Sequence, residues 1–247
     1  VVTGRADLAT TAETPVVHAV LDGADVVVLA TTATTRGALE IVARRDSEIL
    51  EPGDLSGKRI GVTLGTNVEF FLDLYLTLHR VSRESVELVD TKAKGIVSGI
   101  TNGNFDAVVS WEPHTAQLRQ RLDDTALFLS EPEIYSWYWN LATTEGFARS
   151  NLAVCEAFLR ALIEANRWIA SNPQDAMRMV SSRLELSDPA TEAIMSKTRF
   201  SVTLDQALVL NMENQTRWTM EERDLSEARM PDFLRVLSWR PLEQVAP

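Results

Sequence analysis

Strand-like apolar runs alternate with helix-like segments through the first half of the sequence. Strand-like runs at residues 6–10, 58–63 and 106–110 are each followed by a turn and then by a helix-like segment, and residues 41–44 form a further run typical of a buried strand. Such alternation is typical of βα units and predicts an α/β fold with mainly parallel sheets. Beyond residue 135 the pattern becomes mainly helical, with a long amphipathic helix expected over residues 151–170.

The composition narrows the class of protein. With 45% hydrophobic and 24% charged residues, the chain resembles an ordinary folded globular protein. Its apolar runs are strand-sized, well short of the roughly 20 residues that span a bilayer. The net charge of −11 opposes attraction to nucleic acid and to anionic lipid. We therefore expect neither a nucleic-acid partner nor a membrane span.

Residues that could support catalysis are few. Cys155 is the only cysteine, and its neighbours have helical apolar spacing, which favours a buried thiol. His18, His79 and His114 are far apart and have no metal-ligand spacing. The motifs of the nucleophile elbow, the dinucleotide fold and the phosphate loop are all missing from the sequence. We expect no catalytic residue, no metal and no cofactor.

Three turns are candidate ligand contacts because each follows a predicted strand and precedes a predicted helix. They are residues 11–14, 65–67 and 110–112. In open parallel sheets, ligands bind at the carboxyl ends of strands, where helix N-termini attract anions. Two of the turns also offer a cap: Thr14 before Pro15, and Thr66 with Glu69 at capping-box spacing.

The side chains in these turns suggest a second kind of contact. Glu13, Glu112 and the face of Trp111 could hold an amine or the cationic part of a zwitterion. The alternative is that the threonines only cap, the acids only favour helix starts and the aromatic residues only pack. The candidate ligand contacts are Thr11, Glu13, Thr14, Gly65, Thr66, Asn67, Trp111, Glu112 and Trp137.

Three segments carry a resemblance to a known family. They are residues 4–10 (GRADLAT), 54–62 (DLSGKRIGV) and 104–113 (NFDAVVSWEP). In order and spacing they resemble the nitrate/sulfonate/taurine and thiamine-pyrimidine branch of solute-binding proteins. The similarity continues weakly to the C-terminus.

The resemblance implies a type II periplasmic-binding-protein fold with a ligand cleft between two lobes. Lobe 1 would comprise residues 1–57 and 139–247, and lobe 2 residues 58–138. Hinge closure would involve the segments 51–58 and 131–139. Relatives have a strand and a helix before the segment that matches residues 4–10, and we expect these to be absent from this chain.

The same resemblance implies a biological role. The protein would be a periplasmic or extracellular component of an ABC-type importer, exported and able to carry a lipid anchor. It would act as a monomer and deliver its ligand to a membrane permease. The ligand would be a sulfonate, a taurine-like or nitrate-like molecule, or a pyrimidine or thiamine precursor.

Two alternative functions remain open at this stage. The chain could be a ligand-sensing module of a receptor or regulator, whose cleft would look the same. It could also be an enzyme, since related folds serve in thiamine-pyrimidine synthesis and menaquinone chemistry. The pyrimidine synthases carry a histidine and cysteine cluster that has no counterpart in this sequence.

Overall fold

The chain forms two compact units. They are seen in a computed structural model that describes residues 1–225 and 227–246. Unit 1 consists of Val1–Thr35, Trp137–Arg178 and Thr198–Pro247, and unit 2 of Arg36–Ser136 and Met179–Lys197. The architecture is mixed α/β, with one sheet in each unit.

The observed boundaries differ from the expected ones. Residues 36–57, which the sequence assigned to lobe 1, belong to unit 2, because strand β3 (Leu39–Arg44) pairs inside the sheet of that unit. The segment 51–58 therefore lies within unit 2, and the first passage between the units falls between residues 35 and 36. The second expected segment, 131–139, does contain a passage, between residues 136 and 137.

Unit 1 is built on a four-stranded sheet in the order β1-β8-β2-β9. The strands β1 and β8 are antiparallel, and so are β2 and β9. The bounds are β1 Ala9–Thr11, β2 Val27–Arg36, β8 Ser136–Thr143 and β9 Thr198–Thr203. The first helix of this unit, Glu13–Leu21, packs against the helix Gln206–Glu222, so early and late parts of the sequence share one core. The helices are α1 Glu13–Leu21, α5 Glu145–Ser150, α6 Leu152–Ser171, α7 Pro173–Leu184 (which ends in unit 2), α9 Gln206–Glu222 and α10 Trp239–Glu243.

The core of unit 1 is formed by apolar side chains from strands and helices alike. Val28 and Leu29 of β2 pack with Leu208 and Met212 of α9, and all four are fully buried or nearly so. Cys155 lies in the same core, as its helical spacing predicted. Burial of this kind contributes roughly 25 cal/mol per Å² of apolar surface and is the main stabilising term.

Unit 2 has a five-stranded mixed sheet in the order β5-β4-β6-β3-β7. The strand β4 runs parallel to β5 and β6, whereas β3 runs antiparallel to β6 and β7. The bounds are β3 Leu39–Arg44, β4 Arg59–Val62, β5 Glu87–Asp90, β6 Ala107–Trp111 and β7 Ala126–Leu129. Its helices are α2 Asn67–Leu78, α3 Ile96–Thr101, α4 His114–Leu122 and α8 Asp188–Lys197.

The mixed sheets correct the expectation of mainly parallel ones. Residues 41–43 of β3 form a continuous apolar run, a pattern usual for parallel strands that are buried on both faces. In the structure β3 is buried between two antiparallel neighbours instead. Its burial was predicted correctly from the sequence, but the direction of its neighbours leaves no trace in that pattern.

Within the described residues, no helix combines the length and the apolar character that a membrane crossing needs.

Candidate functional site

In unit 2, two of the three predicted turns lie at the same edge of the sheet. The strands β4 and β6 are parallel neighbours, with Ile60 opposite Ala107 and Gly61 opposite Val108. Their carboxyl ends therefore meet, and the turn before α2 lies beside the turn that follows Trp111. This edge is where parallel strands commonly place ligands.

The turn from Gly65 to Asn67 opens helix α2 in the way the sequence predicted. Gly65 has φ +69°, a conformation that glycine adopts at little cost. The hydroxyl of Thr66 accepts a hydrogen bond from the backbone N–H of Val68 at 3.2 Å. The carboxylate of Glu69 accepts one from the N–H of Gly65 at 2.7 Å, one residue before the position a standard capping box would use.

Asn67, the first residue of α2, has a buried donor without an acceptor. Its side chain is only 5% exposed, and Nδ2 has no hydrogen-bond partner among the described residues. Leaving a buried polar group unpaired costs about 1–3 kcal/mol. Buried polar groups in native proteins are nearly always paired, so the unpaired amide of Asn67, at a helix N-terminus, is a candidate donor to a ligand.

Trp111 and Glu112 form the second turn at this edge. Trp111 is half-buried, and its ring meets the ring of His114 edge-on at a centroid distance of 5.4 Å. The Glu112–Pro113 peptide bond is cis. The carboxylate of Glu112 accepts a hydrogen bond from the N–H of Ala116 at 3.0 Å and so caps helix α4.

Burial perturbs both titratable groups of this turn. It raises the pKa of Glu112, and the nearby Glu40 raises it further, while the hydrogen bond from Ala116 acts in the opposite direction. Burial also lowers the pKa of His114. Titratable groups with perturbed pKa values are common at functional sites, so this turn is a candidate binding site.

In unit 1, Glu13 and Thr14 have structural partners. Glu13 is fully buried, and its carboxylate accepts hydrogen bonds from Nε2 of Gln215 at 2.8 Å and from the N–H of Tyr138 at 3.3 Å. The hydroxyl of Thr14 donates to Oε1 of Gln215. The helix N-cap is Ala12, so Thr14 does not cap α1 as predicted. Its hydroxyl bonds to Gln215 of the neighbouring helix α9 instead.

Thr11 and Trp137 occupy neighbouring strands of the same sheet. Thr11 ends β1 opposite Asn140 of β8. Trp137, near the start of β8, is 7% exposed and stacks on Trp139 with ring centroids 4.7 Å apart. Its indole Nε1 has no hydrogen-bond partner among the described residues. Buried tryptophan N–H groups usually find an acceptor, so this is a second unpaired donor.

Two residues important to these turns were not singled out from the sequence. Gln215 donates a hydrogen bond to Glu13 and accepts one from Thr14. Glu40 lies opposite Ser110, next to the Trp111 turn. Both are ordinary polar residues in amphipathic segments, and only the folded contacts reveal their roles. Across the described parts of the chain, no cluster of acids, histidines and cysteine could hold a metal ion.

The mixed α/β fold in two units is that of a periplasmic-binding-protein type of protein. The family model described as "NMT1/THI5 like" matches residues 1–176, and the chain belongs to that family.

Curated relatives in Brucella abortus and Brucella suis are described as binding proteins. Each is 24% identical over 156 residues, which is 61% of this chain and 43% of the relative. The match thus spans less than half the length of these relatives.

Solved structures share the fold at low sequence identity. The periplasmic aliphatic sulphonate binding protein SsuA from Escherichia coli superposes with a TM-score of 0.80 at 17% identity, covering 98% of this chain and 83% of that one. The alkanesulfonate-binding protein SsuA from Xanthomonas axonopodis pv. citri, bound to MOPS, gives 0.80 at 18% identity, with 96% and 81% covered. The desulfurization enzyme DSZB gives 0.69 at 17% identity, with 96% and 84% covered. These similarities confirm the predicted type II fold with its two lobes.

Proposed function

We propose that this protein is the ligand-binding component of an ABC-type importer and that it works in the periplasm. It would capture a small polar molecule and deliver it to a membrane permease. Support comes from the family, and from structural neighbours that are mostly named as binding proteins. One of those neighbours is an enzyme, so the fold alone does not decide between binding and catalysis. We also propose that this protein does not convert its ligand into a product.

The observation that carries the proposal is a pair of buried donors without acceptors, one in each unit. Asn67 Nδ2 belongs to unit 2 and Trp137 Nε1 to unit 1. Both are N–H donors, so they favour a ligand group rich in acceptor oxygens, such as a sulfonate. The N-terminus of α2 at Asn67 adds positive potential for the same group.

The acids bear on the amine or zwitterion hypothesis in different ways. Glu13 is fully buried and bonded to protein groups, which argues against a ligand contact. Glu112 is half-buried and accepts a hydrogen bond from the N–H of Ala116, and it stays a candidate contact for an amine. A sulfonate that also carries an amino group would then bind Asn67 through its oxygens and Glu112 through its amine, and both residues belong to unit 2.

Binding is proposed to act by hinge closure, with the ligand held by groups from both units. A ligand stabilises the closed form only as far as it binds that form better than the open one. The candidate donors are Trp137 in unit 1 and Asn67 in unit 2. Removal of either donor should then weaken both binding and closure.

The test is isothermal titration calorimetry with ethanesulfonate, taurine and ethylamine as probes. Asn67→Ala and Trp137→Phe each remove one donor, and each should weaken ethanesulfonate binding by about 1–3 kcal/mol. Trp111→Ala should have a similar effect through loss of the aromatic contact. One control is Asn102→Ala, at the exposed C-terminal end of α3. The other is Trp139→Phe, which alters the ring that stacks on Trp137.

Several results would contradict the proposal. Equal sulfonate affinities in wild type, Asn67→Ala and Trp137→Phe would remove the two donors from the site. Equal binding of taurine and ethanesulfonate would remove Glu112 from it. Release of sulfite or another product from these probes, followed by mass spectrometry, would establish an enzyme instead.

A further inference from the structure

The carboxylate of Glu40 is buried in unit 2 beside the Trp111 turn. Glu40 is 5% exposed and lies on β3 opposite Ser110, while the preceding residue, Leu39, lies opposite Trp111. A buried carboxylate is costly to desolvate and needs charged or hydrogen-bonding partners.

Two cations from different helices supply those partners. The guanidinium of Arg119, on α4, pairs with Oε2 of Glu40. The ammonium of Lys197, the last residue of α8, lies 3.3 Å from Oε1 and donates to the carbonyl of Gly37 at 3.1 Å. Arg119 also lies over the ring of Phe128, 3.9 Å from its centroid. The cluster thus ties α4 and α8 to the middle of the sheet.

The same charges reach Glu112. Burial is the main cause that raises the pKa of Glu112, Glu40 raises it further, and Lys197 and Arg119 lower it. Each of these three comes from a different element, β3, α8 or α4, and His114 of α4 faces the same turn through Trp111. Glu112 therefore responds to the charge state of a cluster that it does not bond.

We infer that Glu40 is a positioning residue for the Trp111–Glu112 turn, acting through Arg119 and Lys197. The inference rests on the proposed function, because that turn is taken as part of the ligand site. Helix α4 begins directly after the turn and carries Arg119, which pairs with the carboxylate of Glu40. Glu40 lies on β3, the strand that pairs with the strand of Trp111, so the ion pair holds α4 against β3 beside the turn. Lys197 anchors the end of α8, where the chain leaves unit 2, to the same carboxylate.

The sign of the change in the Glu112 pKa separates an electrostatic effect of Glu40 from a simple packing effect. Glu40→Gln removes a negative charge near Glu112 and should lower the pKa of Glu112. Lys197→Met removes a positive charge and should raise it. A packing role alone would loosen the turn in both variants and move the Glu112 pKa in the same direction.

The experiment follows the Glu112 carboxyl by 13C NMR titration, with the resonance assigned from Glu112→Gln. We expect opposite pKa shifts in Glu40→Gln and Lys197→Met, and near wild-type behaviour in Lys197→Arg. Arg121→Met, which removes an exposed cation of α4, serves as the control. Ethanesulfonate affinity should fall by about tenfold in Glu40→Gln.

Shifts in the same direction, or no shift in either variant, would overturn the positioning role. Circular dichroism and urea unfolding establish that each variant is folded before it is titrated. The titration needs no ligand, so it tests Glu40 even where the proposed function fails. That failure would appear separately, as wild-type protein that does not bind the sulfonate or as Trp111→Ala that binds it equally well.

Discussion

The carboxylate of Glu13 accepts a 2.8 Å hydrogen bond from Nε2 of Gln215, although the two residues are 202 positions apart. Thr14, the next residue, donates to Oε1 of the same amide. One glutamine side chain thereby joins the start of α1 to α9, and all three residues are fully buried. The arrangement satisfies buried polar groups that would otherwise destabilise unit 1.

Glu13→Ala should destabilise unit 1 by about 2–4 kcal/mol, because it leaves one N–H of the Gln215 amide and the N–H of Tyr138 buried without the acceptor that Glu13 provides. Urea unfolding followed by circular dichroism measures the change. The matched control is Glu145→Ala, an acid at the start of α5 that is mostly exposed. A loss of ligand affinity at unchanged stability would instead return Glu13 to the ligand site.

Gly99 in α3 should tolerate no side chain, because an added Cβ would collide with the ring of Phe105. We expect Gly99→Ala to cost about 1–3 kcal/mol of unfolding free energy, despite the better helix propensity of alanine. Phe105→Leu in the same protein should recover part of that loss. Gly53→Ala is the control, since its nearest neighbour lies 3.9 Å from the added atom. Equal stability of the two alanine variants would contradict this packing.

Acid should weaken unit 2 through Asp106. Burial pushes the pKa of Asp106 upward, but hydrogen bonds from the backbone and guanidinium of Arg59, with its charge, outweigh that effect and lower the pKa. The folded-state pKa is therefore below the unfolded value of about 3.9. The stabilisation is complete above that value and is lost as the pH falls through the folded-state pKa.

In Asp106→Asn the free energy of unfolding should accordingly fall less steeply than in wild type as the pH decreases below about 4. Urea midpoints measured from about pH 6 down to about pH 2 give the comparison. Replacement of the exposed acid in Glu222→Gln controls for the loss of one carboxylate. An acid limb of the same steepness in wild type and Asp106→Asn would contradict the assignment.

Cys155 should be unreactive in the native protein. It is fully buried in the core of unit 1, and burial raises the pKa of its thiol. We expect a thiol reagent such as DTNB to react at least about 100-fold more slowly in buffer than in urea. Ala165→Cys in a Cys155→Ala background places the thiol on an exposed position of the same helix and should react at once. Fast labelling of native Cys155 would show that the core opens readily.

Local signals in the sequence predicted local structure well. Thr66 caps α2 as its spacing indicated, Gly65 takes the left-handed conformation of a turn, and the long helix of the second half is α6. Each depends on residues within one or two turns of the chain. The fold class followed from the order of such segments, and the similarity to solved structures confirms it.

The errors concern contacts between distant parts of the chain. Thr14 has the sequence features of an N-cap, yet its hydroxyl bonds Gln215, about 200 positions away. The expected lobe boundary at residue 57 failed because β3 pairs with β6 and β7, which lie far along the chain. The sequence marks Asn67 by its turn and Trp137 by its aromatic character, whereas their lack of acceptors is visible only in the folded structure.

The central place of β3 in its sheet limits how this protein can be cut or recombined. The strand precedes every other strand of unit 2, yet it lies between β6 and β7, both of which bond to it. A fragment of residues 58–138 would lose that strand and expose two unpaired strand edges, which invite aggregation. Any transplantable version of unit 2 must therefore begin upstream of Leu39.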